Sequence, residues 1–276
     1  MSRVELLFFT DLDHTLLDPD YDWQAARSAI DRLRTLGVPL ILNSSKTLAE
    51  IVTLRRALAN PHPFVTENGA AVHIPWGYFT HGPRDTQEGE ECFDRVNLGM
   101  ERPAFLPVLH EIRTRRGFRF RGFADLTLEE LAGLTGLSLD EAAAAAQRDG
   151  TEPILWQDSE PSEVLARELE PHGLRLVPGG RFLHVMGAAD KGTATRRLID
   201  RFRERPQAPW RTVALGDSAN DFEMLRAVDL PVLMPRGDTA PRPSLDLPNL
   251  LRARVPGAAG WGQIVHQILD QHAAQG

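Results

Sequence analysis

Lysine is nearly missing from this chain. Of its 31 basic residues, only Lys46 and Lys191 are not arginine. A genome-wide codon bias toward arginine accounts for most of that ratio. It does not account for where the two lysines sit, beside two small-residue loops described below. An ammonium is a compact point charge that a forked guanidinium does not reproduce, so both positions read as needing one. Cysteine is limited to Cys92, which excludes an internal disulfide and fits a reducing compartment. A basic excess is absent as well. The net charge of −7 leaves no electrostatic footprint for nucleic acid. No apolar stretch approaches the roughly 20 residues that span a bilayer, and the amino terminus shows no signal-peptide pattern. A cytoplasmic protein without nucleic-acid or membrane partners is expected.

What remains is ordinary globular material, 276 residues with 42% hydrophobic content, enough for one large domain or two modest ones. The first segment alternates strand and helix. An apolar run over 4–10 reads as a strand, 22–36 as a helix stopping at Gly37, and 38–42 as a second strand. Thr47-x-x-Glu50 opens a helix with a capping box, and Phe64-Val65-Thr66 follows as a third strand. This order predicts a parallel sheet covered by helices. The middle reads differently. Residues 83–91 are polar, 117–121 alternates like a half-exposed strand, 152–157 suggests another strand, and Thr127 and Ser138 begin capping boxes. A helix runs from about Pro161 to Gly173. Residues 174–177 and 181–185 frame a Pro178-Gly179-Gly180 turn, as in a hairpin. Short local connections point to an antiparallel sheet carrying helices. From Asp190 the parallel grammar returns, with a helix to about Arg205, a strand over 212–216, a helix from Ser218 and a strand over 231–234. A proline-rich segment over 235–249 and a closing helix over 261–273 complete the chain. The expected fold class is α/β: a Rossmann-like parallel-sheet core formed by 1–82 and 188–276, with an α/β cap carrying an antiparallel sheet inserted over 83–187.

Two acidic clusters follow apolar strands nearly two hundred residues apart. Asp11 and Asp13 end the first strand and share a face, because alternate residues point the same way. Gly216-Asp217-Ser218-Ala219-Asn220-Asp221 ends the later one. Carboxylates gathered at the carboxyl edge of a parallel sheet repel one another unless a hard cation joins them, which predicts a magnesium site. Asp11, Asp13, Asp217 and Asp221 are its candidate ligands. Asp221 is equally placed to cap the following helix in a Ser218-x-x-Asp221 box, and Asn220 to order the loop. In phosphoryl transfer Asp11 would attack phosphorus, and Asp13 would protonate the leaving alkoxide and then activate water. Asn43-Ser44-Ser45-Lys46, between a strand and a helix amino terminus, forms a natural anion site. Ser44 and Ser45 would bind phosphoryl oxygens. Lys46 would add charge or stay solvated. Lys191 could neutralise the phosphate and the nucleophile together.

Taken together, Asp11-x-Asp13-x-Thr15, Ser44, Lys191 and Gly216-Asp217-Ser218-x-Asn220-Asp221 resemble, in order and spacing, the four motifs of the haloacid dehalogenase-like phosphohydrolase superfamily. The insertion resembles its larger α/β cap, and Glu67-Asn68-Gly69-Ala70 is similar to the loop before that cap. Asn68 there either orients substrate or forms a turn. Within the superfamily, Ser44-Ser45-Lys46-Thr47, the stretches 120–125 and 129–137, and Arg148 with Glu152-Pro153-Ile154 resemble the mannosyl-3-phosphoglycerate phosphatases, enzymes of osmolyte synthesis. That resemblance implies Mg2+-dependent hydrolysis of a small phosphorylated glycoside through an aspartyl phosphate, with Arg148 and Asn220 among the substrate-binding residues. His14 departs from it, since relatives usually carry glycine there, and so does Asp149-Gly150. A phosphatase of another sugar phosphate such as sucrose phosphate, a phosphomutase, and a protein that only binds sugar phosphates are the competing readings.

Overall fold

Leu6 and Phe8 point to one side of the first strand, Leu7 and Phe9 to the other, and all four are buried. A strand buried on both faces must lie inside a sheet with helices on each side. The computed structural model, which describes residues 4–79, 92–179, 181–205, 209–236 and 245–274, has that architecture. The chain begins with β1 (Glu5–Thr10), α1 (Arg27–Thr35), β2 (Leu40–Asn43), α2 (Leu48–Ala57), β3 (Phe64–Thr66), β4 (Ala71–Pro75) and β5 (Phe93–Asn97). Next come α3 (Arg102–Arg116), β6 (Phe120–Gly122), α4 (Leu128–Thr135), α5 (Leu139–Ala146), β7 (Thr151–Trp156), α6 (Ser162–Leu169), β8 (Arg175–Gly179) and β9 (Phe182–Met186). It closes with α7 (Lys191–Arg203), β10 (Trp210–Gly216), α8 (Phe222–Arg226), β11 (Leu230–Leu233), β12 (Leu251–Arg252) and α9 (Gly257–Ala273).

Among the described residues the large sheet runs β12-β11-β10-β1-β2-β3-β4-β5. It is parallel from β12 to β3, and β4 and β5 add antiparallel pairs at one edge. One face packs on α1, α2 and α9 through Ile30, Leu33, Ile51, Trp261 and Val265. The other packs on α7 and α8 through Leu198, Phe202, Met224 and Leu225. Each such fully buried side chain contributes about 1.5–3 kcal/mol of transfer free energy. The chain leaves β1 toward β2 on one side and returns to β10 on the other, so the strand order reverses beside β1. In open α/β sheets that switch point, at the carboxyl ends of the strands, is where a crevice forms.

The second sheet, β6-β7-β9-β8, is antiparallel throughout. Helices α3 and α6 pack on it through Phe105, Leu109, Ile112, Leu165 and Leu169. A parallel-sheet core with a separate antiparallel sheet is therefore the fold. Several details differ from expectation. Helix α3 has no clear sequence signal, because Pro103 and Pro107 read as breakers. Pro103 occupies the first turn, where no amide hydrogen bond is lost. Gly117, expected to start a strand, instead closes α3 in the left-handed conformation, with φ 71°. Strand β5 lies within the stretch 83–187 yet pairs with β4 on the large sheet, where Phe93 packs edge-on against Phe64. The polar stretch 83–91, Gly180 of the hairpin turn and 237–244 of the proline-rich segment lie outside the described residues.

Candidate active site

Parallel pairing of β1 with β10 sets Thr10 opposite Leu215. The loops that follow the two strands therefore emerge side by side, and Asp11 meets the 217–221 loop. Asp11, Asp217 and Asp221 are buried, and each offers a carboxylate oxygen within 4.8 Å of the others. Thr15 Oγ1 donates to Asp217 Oδ1 at 3.2 Å, tying the two acidic motifs directly.

Lys191 enters this cluster from the amino end of α7. Its Nζ donates to Asp11 Oδ1 at 2.5 Å and to Asp221 Oδ1 at 2.7 Å, and the ammonium is fully buried. The two carboxylates hold it protonated well above the usual lysine range although burial alone would lower it. Three features place α7 there. Asp190 caps it by accepting from Thr193 N at 2.6 Å. Asn43 Nδ2 donates to the Lys191 carbonyl at 3.0 Å. Gly69, at φ 96°, lets the backbone come so close that a Cβ would lie 2.1 Å from the Asp190 carbonyl oxygen.

Asp221 makes the expected cap and also meets Lys191. Its Oδ2 accepts from the amides of Asp217 and Ser218, each at 3.1 Å, in the capping box, while Oδ1 holds Lys191. Burial, followed by the Asp221 charge, pushes the Asp11 carboxyl up, with Lys191 acting against it. The same causes, in the same order, raise Asp217 to about 6, with Arg236, Lys191 and His14 acting against them. Asp217 Oδ2 is buried without a hydrogen bond, and Arg236 Nη1 lies 3.4 Å from it. Hard carboxylate oxygens, crowded and reluctant to ionise together, suit a divalent cation bound through oxygen.

Asp13 is more open, with 35% of its side chain exposed, and Lys46 Nζ lies 3.0 Å from its Oδ1. Lys46 is thus not a solvated surface lysine. Burial favours its neutral amine, but Asp13 and Glu50 outweigh that and raise its pKa. Ser44 is buried and its Oγ accepts from Lys46 N at 3.2 Å. Asn68 and Asn220 meet, Nδ2 of Asn220 donating to Oδ1 of Asn68 at 3.2 Å.

These loops surround a cavity of about 400 Å3 lined by Asp11, Asp13, His14, Ser45, Asp217 and Asn220, among others. The β8–β9 end of the second sheet reaches over it with Pro178 and Gly179. Arg148 stands apart from that lining. Its guanidinium donates to the Ser45 carbonyl at 3.2 Å and to Thr151 Oγ1 at 2.9 Å, so it fastens the inserted segment to the anion-site loop. Glu67 does the same from the core side, accepting from the amides of Asp149, Gly150 and Thr151 and from Thr151 Oγ1. Sequence reasoning missed the contacts of Glu67 and Arg236, and Tyr21, which lines the cavity with its ring 4.6 Å from Lys46 Nζ. For Arg236 the only available signal was its position just past the end of β11.

Residues 8–88 and 180–240 match the haloacid dehalogenase-like hydrolase family. A glucosyl-3-phosphoglycerate/mannosyl-3-phosphoglycerate phosphatase of Persephonella marina is 37% identical over 268 residues, 96% of this chain and 98% of the relative. One of Methanococcoides burtonii is 36% identical over the same shares. A solved Thermoplasma acidophilum protein superposes with a TM-score of 0.66 at 16% identity, covering 96% of this chain and 99% of the other. A Bacteroides thetaiotaomicron protein studied among the phosphatases of the haloalkanoate (HAD) enzyme superfamily gives 0.65 at 15% identity, over 99% and 96%. Both structures share the fold. Four motifs on one sheet edge, the inserted second sheet and the full-length kinship agree, and the chain belongs to the haloacid dehalogenase-like hydrolases.

Proposed function

We propose that the protein is a magnesium-dependent phosphatase that hydrolyses mannosyl-3-phosphoglycerate, and its glucosyl counterpart, through a phosphorylated Asp11. The observation that carries the chemistry is the Asp11–Lys191–Asp221 contact. Lys191 fixes Oδ1 of Asp11 in one direction and leaves Oδ2 to attack phosphorus. The bond from Oδ2 to phosphorus forms as the ester oxygen leaves, and Asp13, open to the cavity, gives that oxygen its proton. Water then attacks the acyl phosphate, Asp13 takes its proton, and inorganic phosphate departs with Asp11 restored. Ser44, Ser45 and Lys46 lie where phosphoryl oxygens meet the amino end of α2. Asp11 and Asp217 would hold the metal, with Asp13 beside them and Asp221 braced behind. When bound, Mg2+ neutralises charge on the phosphoryl group and the carboxylates. Asn220 lines the cavity and is hydrogen-bonded to the buried Asn68 behind it.

The substrate assignment rests on the names of the two relatives and on the 44–47 and 120–137 stretches. We take the core as 1–82 and 188–276 with 83–187 as the insertion, β5 lending its edge to the core sheet. Phosphate release from mannosyl- and glucosyl-3-phosphoglycerate, measured against sucrose phosphate and hexose phosphates with and without Mg2+, tests the reading. Preferential, metal-dependent release from the glycosyl phosphoglycerates is expected. Equal turnover of several hexose phosphates would remove the narrow substrate. Conversion between isomers without free phosphate would indicate a mutase.

A further inference from the structure

The cavity must accept an anion among carboxylates, and neither lysine is part of its lining. Lys191 lies between Asp11 and Asp221. Lys46 lies 3.0 Å from Asp13 and 3.9 Å from Glu50. Among the described residues lining the cavity, the basic side chains are His14 and Arg236. Arg236 Nη1 lies 3.4 Å from Asp217 Oδ2, and His14 lines the same cavity. Their backbones were not chosen for convenience. His14 adopts φ 59°, the left-handed region that a Cβ-bearing residue occupies at a cost. Arg236 follows β11 by three residues, where the sheet edge delivers it beside Asp217.

A glycosyl phosphoglycerate carries a carboxylate one carbon away from the carbon bearing the phosphate ester. With phosphorus at Asp11, that carboxylate falls inside a lining that includes Asp11, Asp13, Asp18 and Asp217. Like charges at this spacing repel strongly in a partly desolvated site, so a cation must meet it. Arg148, the arginine expected for that task, is instead hydrogen-bonded to Ser45 and Thr151, away from the cavity lining. We propose that Arg236, assisted by His14, receives the substrate's carboxylate and makes the site selective for phosphate monoesters that carry one. A guanidinium matches a carboxylate through paired N–H donors. The imidazole supplies an N–H in either protonation state. This inference rests on the phosphatase reading of the cavity but not on the identity of the sugar.

The test uses two phosphate esters that differ at the carboxylate: 3-phosphoglycerate and glycerol 3-phosphate. Their affinities are titrated calorimetrically with Mg2+ in the D11N background, where neither is turned over. The same ratio is read as inhibition constants in the wild-type enzyme, in case D11N folds poorly. We expect 3-phosphoglycerate to bind about tenfold or more tightly than glycerol 3-phosphate, a difference of one decade in Kd. R236Q should bring that ratio close to one, R236K should restore part of it, and H14G should lower it. A ratio near one in the unsubstituted site overturns the proposal. So does R236Q weakening both esters equally, since that would assign Arg236 to the phosphoryl group or the metal. An unchanged ratio in H14G removes the histidine's part. Failure of the wild type to release phosphate from the glycosyl esters would count against the proposed substrate alone, because the carboxylate ratio is read without it.

Discussion

Lys191 is the residue on which the site's charge balance turns. Two buried carboxylates face one buried ammonium, and removing one member of such a group leaves an uncompensated charge. K191M keeps the side chain's bulk and deletes its charge. It is expected to destabilise the fold by about 3–5 kcal/mol in urea unfolding and to lower turnover by about a hundredfold or more. Wild-type stability in this variant would contradict that charge balance. The positions of Asp11, Asp13 and Lys191 were legible because each sits at a strand end or a capped helix start. Partners chosen across the fold were not. Nothing near Glu67 in the chain announces that it will accept four hydrogen bonds from residues 149–151. Nothing near Arg148 shows that it donates to Ser45 and Thr151.

At the scale of elements, Glu67 joins the turn after β3 to the start of β7, in a turn where Glu67, Asn68 and Gly69 all have positive φ. The Gly150 and Thr151 amides it accepts are buried. E67A leaves those donors unpaired, and a loss of about 2–4 kcal/mol in urea unfolding is expected. Amide exchange at residues 149–151 should quicken with it. Unchanged exchange there would show that other contacts hold the inserted segment in place. Capping boxes at Thr47, Thr127 and Ser138 could be read from four-residue patterns because both partners are local. Helix α3 could not, since its prolines carry a local signal that its packing on Ile154 and Val185 overrides. Strand β5 is half exposed and charged, and its partners on β4 lie 18 to 26 residues away, so no periodicity reveals it.

At the scale of the whole molecule, three histidines set the response to acid. Burial, with nearby arginines, lowers His62 and His73 to about 4, and burial with Arg148 and Lys191 lowers His184 to about 3. The unfolded chain binds protons at these rings near pH 6.5, whereas the folded one does not. Stability from them is therefore full above pH 6.5 and is lost as pH falls toward 4. Asp11 and Asp217, raised by burial, act in the opposite direction, so the raw slope mixes the two. The H73Q/H184Q double variant isolates the rings: its urea midpoint should fall less than the wild type's between pH 6.5 and 4. Parallel curves would show that the rings are protonated in the folded state.

The sheet itself makes the central claim testable. Adjacent, parallel β1 and β10 bring Asp11 and Asp217 together from opposite ends of the chain, and the proposed nucleophilic role of Asp11 rests on that juxtaposition. The direct measurement is mass spectrometry of peptides from enzyme quenched in acid during turnover of mannosyl-3-phosphoglycerate with Mg2+. D13N should prolong the intermediate and D11N should abolish it. The expected result is one added phosphoryl group on the peptide containing Asp11, absent after chelation. Steady phosphate release by D11N, with an unmodified Asp11 peptide in D13N, would contradict it.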